Sequence, residues 1–231
     1  MRFSGYSMRA ARDRRFGNLK IPSCRRAKDG LHISRKRKNM SVKRVLIVGY
    51  GRAGKDTAGM MLATITKIPY AGSTSWAAND IVATRLGVHP QVAWEFRHDN
   101  REKWKKICDE FRTNDQTILM RLALAGVNED KSSGLISGWR GIVVGARDRV
   151  ELFAAIKEEL FDAILWIENP RVPVDSTVTF TREDVVSAGG DVIFNDAGLV
   201  HLNSKLFLWA EARGLVPELY LSPVTSDTFR E

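Results

Sequence analysis

Arg44-Val-Leu-Ile-Val-Gly49-Tyr-Gly-Arg-Ala-Gly54-Lys55-Asp56-Thr57 is the stretch on which the fold turns. Its first residues, apolar and mostly β-branched, read as a short strand buried on both faces. Beyond the glycines, Ala58, Met61, Leu62 and Ile65 recur at i, i+3, i+4 and i+7, one face of a helix that opens near Gly54. Strand, glycine turn, lysine and helix, in that order, are the context in which Gly-x-x-x-x-Gly-Lys works as a phosphate-binding loop. Glycine accepts positive φ and lets the backbone approach a ligand closely. The N–H groups of Gly49, Gly51, Arg52, Ala53 and Gly54 then form an anion nest, and the helix N-terminus adds a favourable dipole. Lys55 spans the outer phosphates of ATP and offsets charge as the phosphoryl group moves. After the lysine such loops usually carry Ser or Thr, whose hydroxyl ligates Mg²⁺. Here Asp56 stands there, followed by Thr57. Asp56 ligates the metal directly or through water, or Thr57 supplies the hydroxyl; the sequence leaves both open.

Outward from the loop, strand and helix signals alternate. Pro69 ends the first helix, and residues 70–75 read as a second strand. Residues 76–86 read as a helix stopped by Gly87, and Val88-His89-Pro90 as a break. Asp99 with Glu102 makes a capping box for a helix with Trp104, Ile107, Cys108 and Phe111 as its buried stripe. Arg101, Lys105 and Arg112 lie along one side of it. A further helix spans residues 116–125, and 128–138 is a polar loop. Residues 141–145 form a second clear buried strand, followed by a helix capped by Asp148 and Glu151 with Leu152, Phe153, Ile156 and Leu160 as its face. Residues 163–167 are another strand, 170–190 show no periodicity, 191–194 are a last strand, and Leu199, Leu202, Leu206 and Trp209 mark a final core helix. This alternation predicts an α/β fold, a parallel sheet of about five strands with helices on both faces, the three-layer phosphate-loop NTPase architecture. Right-handed crossovers bring the glycine loop, residues 146–148, 168–171 and Asn195-Asp196 to one edge of that sheet, around one crevice.

The chain has 231 residues, 36 Lys and Arg against 27 Asp and Glu, a net charge of +9. Residues 1–40 hold 13 of those cations and 2 acids, so the remainder is slightly acidic and carries no bulk signal for nucleic acid. The division expected is a basic tail over residues 1–40 and one kinase domain over 41–231. The tail has three readings: an organelle transit peptide, a basic arm that touches nucleic acid, or a segment without function preceding a start at Met40. No apolar run approaches a membrane span. Two distant cysteines, Cys24 and Cys108, fit a reducing compartment and no metal spacing. A cytoplasmic location is expected, the host cytoplasm if the protein is viral.

The Gly-Lys-Asp-Thr ending of the loop narrows the family. The chain resembles the phage deoxynucleoside monophosphate kinases, related to adenylate kinase. Three blocks carry the likeness: residues 49–57; residues 142–147 with Glu151; and Asp191-Val-Ile-Phe-Asn195-Asp196-Ala-Gly198 before a leucine-rich helix. It spans roughly residues 43–212. In that family the second block reads Asp-Val-Arg with Glu four positions past the Arg. Arg147 and Glu151 match, but Gly145 stands where the Asp would be.

The resemblance implies an ATP- and Mg²⁺-dependent kinase acting on a (deoxy)nucleoside monophosphate. Lys55, Arg147 and Asp148 are its catalytic candidates, Asp148 either replacing the missing carboxylate or merely capping its helix. Asn195 contacts the adenine or ribose, or else belongs to a turn capping the last helix. A mobile lid over residues 170–190 brings Arg171 and Arg182 to the transferred phosphoryl group. Segment 76–112 holds the acceptor, with Arg97, Arg101 and Arg112 gripping its phosphate and Trp76 or Trp94 stacking on its base. The arginines read equally as solvated charges and Trp76 as core; Trp104 is core, and no histidine carries chemistry.

A phosphate acceptor is already ionised and needs no strong base. The first rival is a kinase for a hydroxyl, such as that of a hydroxymethylated base in phage DNA, with Asp80, Asp99 or Asp148 as base. The second is a non-catalytic nucleotide-binding protein acting through its tail.

Overall fold

The computed structural model describes residues 42–128 and 138–217. The tail and most of the 128–138 loop therefore lie outside the described residues. Five strands, β1 (Arg44–Val48), β2 (Tyr70–Ser73), β3 (Gly141–Val144), β4 (Ala163–Glu168) and β5 (Asp191–Phe194), form one sheet. Their order is β2-β3-β1-β4-β5, and every neighbouring pair is parallel. The expected three-layer α/β architecture is present, with β1 at the centre.

The two-residue period of the strands sorts their side chains into two cores. Val45, Ile47, Ile142, Val144 and Leu165 face Leu62 of α1 (Lys55–Thr66) and Leu206 and Trp209 of α9 (Leu199–Ala212). Leu46, Val48, Val143, Ile164 and Trp166 face Met120 and Leu124 of α6 (Ile118–Val127), Leu152 of α7 (Arg149–Lys157) and Val185 of α8 (Arg182–Ser187). Burial on both faces explains why these strands read as continuous apolar runs. A third cluster, Val82, Ala93, Trp104, Cys108 and Leu119, joins the helices between β2 and β3. These include α2 (Thr74–Ala77), α3 (Asn79–Leu86), α4 (Pro90–Asp99) and α5 (Arg101–Phe111).

Local chemistry departs from the sequence reading in five places. The 76–86 helix is two pieces, α2 and α3, and Gly87 ends the second in a left-handed conformation, φ 66°. The break at residues 88–90 is the start of α4: Pro90 takes the first position and the His89 side chain accepts the Gln91 N–H at 3.2 Å. Asp99 thus belongs to the last turn of α4, and α5 begins after Asn100 with no side-chain cap, so the Asp99–Glu102 capping box does not form. Phe111 and Phe153, expected to be core, are 41% and 37% exposed. Finally, the aperiodic 170–190 stretch divides. Phe180 and Val185 are buried, and Thr181 with Asp184 forms a capping box on α8. Residues 170–178 form neither helix nor strand, and Val178 at their end packs against the second core.

Candidate active site

The loop between β1 and α1 is shaped by three unusual backbones. Gly49 has φ 141°, and a Cβ there would lie 2.5 Å from the Ile167 carbonyl oxygen of β4. Gly54, at φ 94°, is the N-cap of α1 with no side chain closing the helix. Arg52 between them sits at φ 66°. The first N–H groups of α1 have no partner within the helix, the condition for binding an anion at a helix start. The Lys55 ammonium curls back to donate to the Tyr50 carbonyl at 2.6 Å. Burial draws its pKa down to about 8; Asp56 opposes this and Arg147 adds to it.

Beside the loop lies a crevice of about 290 Å³. Gly49, Gly51, Arg52, Lys55 and Asp56 line it from the loop, residues 73–75 from β2 and α2, Arg97 and Arg101 from α4 and α5, and residues 144–147 from the end of β3. Three stretches distant in sequence thus bring Arg52, Lys55, Arg97, Arg101 and Arg147 to one cavity; of the gathering expected at the sheet edge, the glycine loop and residues 146–147 line it, while residues 168–171 and 195–196 do not. Desolvation and the nearby Arg147 and Arg101 charges lower the Arg97 pKa, a sign of crowded cations. Such an arrangement attracts a polyanion.

Asp56 lines the crevice, and its carboxylate accepts the Tyr70 hydroxyl at 3.1 Å. Thr57 follows it in α1 and is not among the lining residues. Among the described residues no group of three His, Cys, Asp or Glu side chains forms a metal cage. A single carboxylate nevertheless suits Mg²⁺, which keeps several waters and takes its other ligands from phosphates.

The remaining candidates divide. Asn195 reaches the loop directly: its amide donates to the Ala53 carbonyl at 2.9 Å, and a Cβ on Gly54 would meet it at 2.5 Å. Neither Asn195 nor Asp196 caps α9, whose N-cap is Gly198 with no side-chain bond; Asp196 pairs with Lys205 at 2.7 Å. Asp148 is the N-cap of α7, accepting the Val150 N–H at 2.8 Å, and lies outside the crevice lining. Asp80 and Asp99 are exposed and also absent from that lining.

Arg112 is 5% exposed and commits its guanidinium to Glu151, at 2.6 Å, and to Asp109. The two residues pin α5 to α7 behind the crevice. Burial pushes the Glu151 carboxyl up, and Arg112 opposes it. Arg171 lies over the turn after β5, donating to the Asp196 carbonyl at 3.0 Å, and Arg182 pairs with Glu183 at 2.7 Å on α8; neither lines the crevice. Trp76, read as core, is 53% exposed and meets the edge of Trp94 at 4.9 Å. Arg97 lies 3.8 Å over the Trp94 ring. Trp104 is buried as expected.

Gly145 has φ 88°, in the left-handed region that favours glycine. Its carbonyl accepts the Thr74 hydroxyl at 2.8 Å. An Asp at this position would be strained. A carboxylate missed in the sequence stands nearby instead. Asp175 accepts the Gly51 N–H at 3.2 Å and lies 3.4 Å from Arg147 and 3.5 Å from Arg101. Nothing in the aperiodic 170–178 stretch marks it, because the contact depends on where the chain turns rather than on a spacing.

No protein-family model matches the chain, and no curated protein does. Among solved structures, a sugar kinase from Janibacter sp., unliganded, is similar at 14% identity and a TM-score of 0.42, covering 76% of this chain and 99% of its own. Shikimate kinase from Aquifex aeolicus is similar at 14% identity and a TM-score of 0.37, covering 74% of this chain and 98% of its own.

Proposed function

We propose that this protein is a kinase that transfers the γ-phosphoryl group of ATP to a (deoxy)nucleoside monophosphate. The observation that carries the reading is the convergence of Lys55 and three arginines, Arg97, Arg101 and Arg147, on one crevice beside an uncapped, glycine-lined helix start. Phosphoryl transfer asks for little covalent chemistry; positioning and charge neutralisation do most of the work. The loop N–H groups and Lys55 hold the donor phosphates. Arg147 stands between loop and acceptor, suited to the moving phosphoryl group, and Arg97 and Arg101 face it from the acceptor side. Asp56 is the residue suited to hold Mg²⁺, which supplies neutralisation of the phosphate oxygens. Trp76, exposed beside residues 73–75, offers a face for a nucleobase.

A hydroxyl acceptor on a modified base in DNA is the second reading. It is favoured by an aromatic face open to solvent at Trp76, and it would need a base other than Asp80, Asp99 or Asp148, which lie outside the crevice lining. Radiolabelled ATP offered with dCMP, dTMP, dGMP and hydroxymethyl-containing DNA separates the two. Label on a monophosphate is the expected result. Label on DNA alone would replace the first reading by the second, and ATP binding with no label on any acceptor would leave a nucleotide-binding accessory protein.

A further inference from the structure

The phosphate loop is not empty of anions. One oxygen of Asp175 accepts the Gly51 N–H at 3.2 Å and faces Arg147 and Arg101 at 3.4 and 3.5 Å. The other accepts the Thr177 N–H at 3.0 Å and the Thr177 hydroxyl at 2.6 Å. The Asp175 side chain is 10% exposed, and a Cβ on Gly51 would stand 2.6 Å from its carboxylate. Although burial works against the charged form, the Thr177 bonds and the two arginines hold its carboxyl below the usual range. A backbone N–H of a glycine nest together with two guanidinium groups suits a phosphate oxygen as well as it suits the carboxylate that holds it here.

We infer that Asp175 is an internal occupant of the phosphate seat, which a phosphorylated ligand enters only by displacing it. The inference rests on the reading of the loop as a nucleotide donor site. Gly51 has a single N–H, so a phosphate oxygen takes it only as the carboxylate leaves, and binding and release of the carboxylate are one exchange. The segment bearing Asp175 suits such an exchange. It starts after β4 and is fixed again at Thr179, whose N–H donates to the Arg147 carbonyl at 2.8 Å, and at buried Phe180. Between them Val174 is 74% exposed. The exchange makes Asp175 a determinant of specificity. A lone phosphate gains little beyond what it displaces, whereas a nucleoside triphosphate brings further phosphates to the α1 N-terminus and Lys55.

Calorimetric titration with ATP and with inorganic phosphate, without acceptor, tests this on the wild type, Asp175→Asn, Thr177→Val and Lys55→Ala. Asp175→Asn keeps the shape and removes the charge. It is expected to bind ATP about tenfold more tightly, because the fraction of loops open to ligand rises, and to bind inorganic phosphate measurably where the wild type does not. Thr177→Val, which removes the hydroxyl's bonds to the carboxylate and to Arg147 but keeps the charge of Asp175, is expected to move affinity the same way by less. Unchanged or weaker ATP affinity in both variants overturns the inference. Wild-type binding that depends on Lys55 but does not tighten in either variant sinks this inference alone. Absence of ATP binding in every protein sinks the donor-site reading with it.

Discussion

At the residue scale Lys55 decides the most. Its pKa, about 8 in the free protein, means that a good part of its charge is lost in mildly alkaline solution. Bound phosphate favours the charged form, so ligand binding takes up a proton above that pKa. ATP affinity is therefore expected to fall roughly tenfold per pH unit above pH 8. Lys55→Arg keeps its charge throughout and should flatten the profile in the same calorimetric titrations; a wild-type profile flat to pH 10 would deny Lys55 this role. Lys55→Ala is expected to lower phosphoryl transfer by at least about a hundredfold in a single-turnover assay. Asn195 matters differently, as a brace for the loop. Asn195→Ala removes the bond to Ala53 and is expected to cost about 1 kcal/mol of stability while weakening ATP binding. The KM for acceptor at saturating ATP is expected to stay constant. The loop was legible from sequence because its signature is local: glycine spacing, a lysine and a helix start. Asn195 was legible only as a residue at the right edge, since its partner lies 142 positions away.

At the scale of elements the strands were read well where burial was two-sided, as in β1 and β3, and α9 where one apolar face was clear. The reading failed where polar residues served packing between helices. Arg112 looked like a ligand-facing charge because its spacing from Arg101 and Lys105 put it on a polar helix edge. In the fold that edge is partly covered by α7, and the buried Glu151 meets it. The match of Glu151 to a family position gave no hint that its partner would come from α5. Removing one member of this buried pair leaves the other uncompensated. Glu151→Gln is expected to destabilise the protein by about 3 kcal/mol, visible as a lower midpoint in thermal denaturation. Adding Arg112→Met to that variant should recover part of the loss, because no lone buried charge remains. A larger loss in the double variant would show that the pair is not the determinant. The helix α4 was missed for a related reason: Pro90 breaks a helix from within but starts one from its first position.

For the whole molecule, the sheet is closed at its N-terminal edge by Asp162, whose carboxylate accepts the backbone N–H groups of Lys43 and Arg44 at 2.9 and 2.8 Å and pairs with the Arg44 guanidinium at 2.8 Å. Burial raises the Asp162 pKa, but these bonds outweigh it and leave the carboxyl lowered. A depressed carboxyl stabilises the fold above its unfolded pKa and loses that contribution as pH falls through the folded value. Asp162→Asn is thus expected to lower the melting temperature near pH 7 while weakening its dependence on acid below about pH 4, followed by circular dichroism. A chain starting at residue 42 retains these contacts and is expected to bind ATP as the full chain does; any salt-sensitive retention on DNA should go with the basic residues removed. The bond from Asn195 to Ala53 carries a consequence for synthesis. The loop emerges from the ribosome early, but its brace is made only after β5, near the end of the described chain. A nascent or truncated product lacking β5 carries the whole Gly49–Lys55 signature without the contact that secures it. On the nucleotide-site reading, a product that ends before β5 is expected to bind ATP more weakly than the full chain.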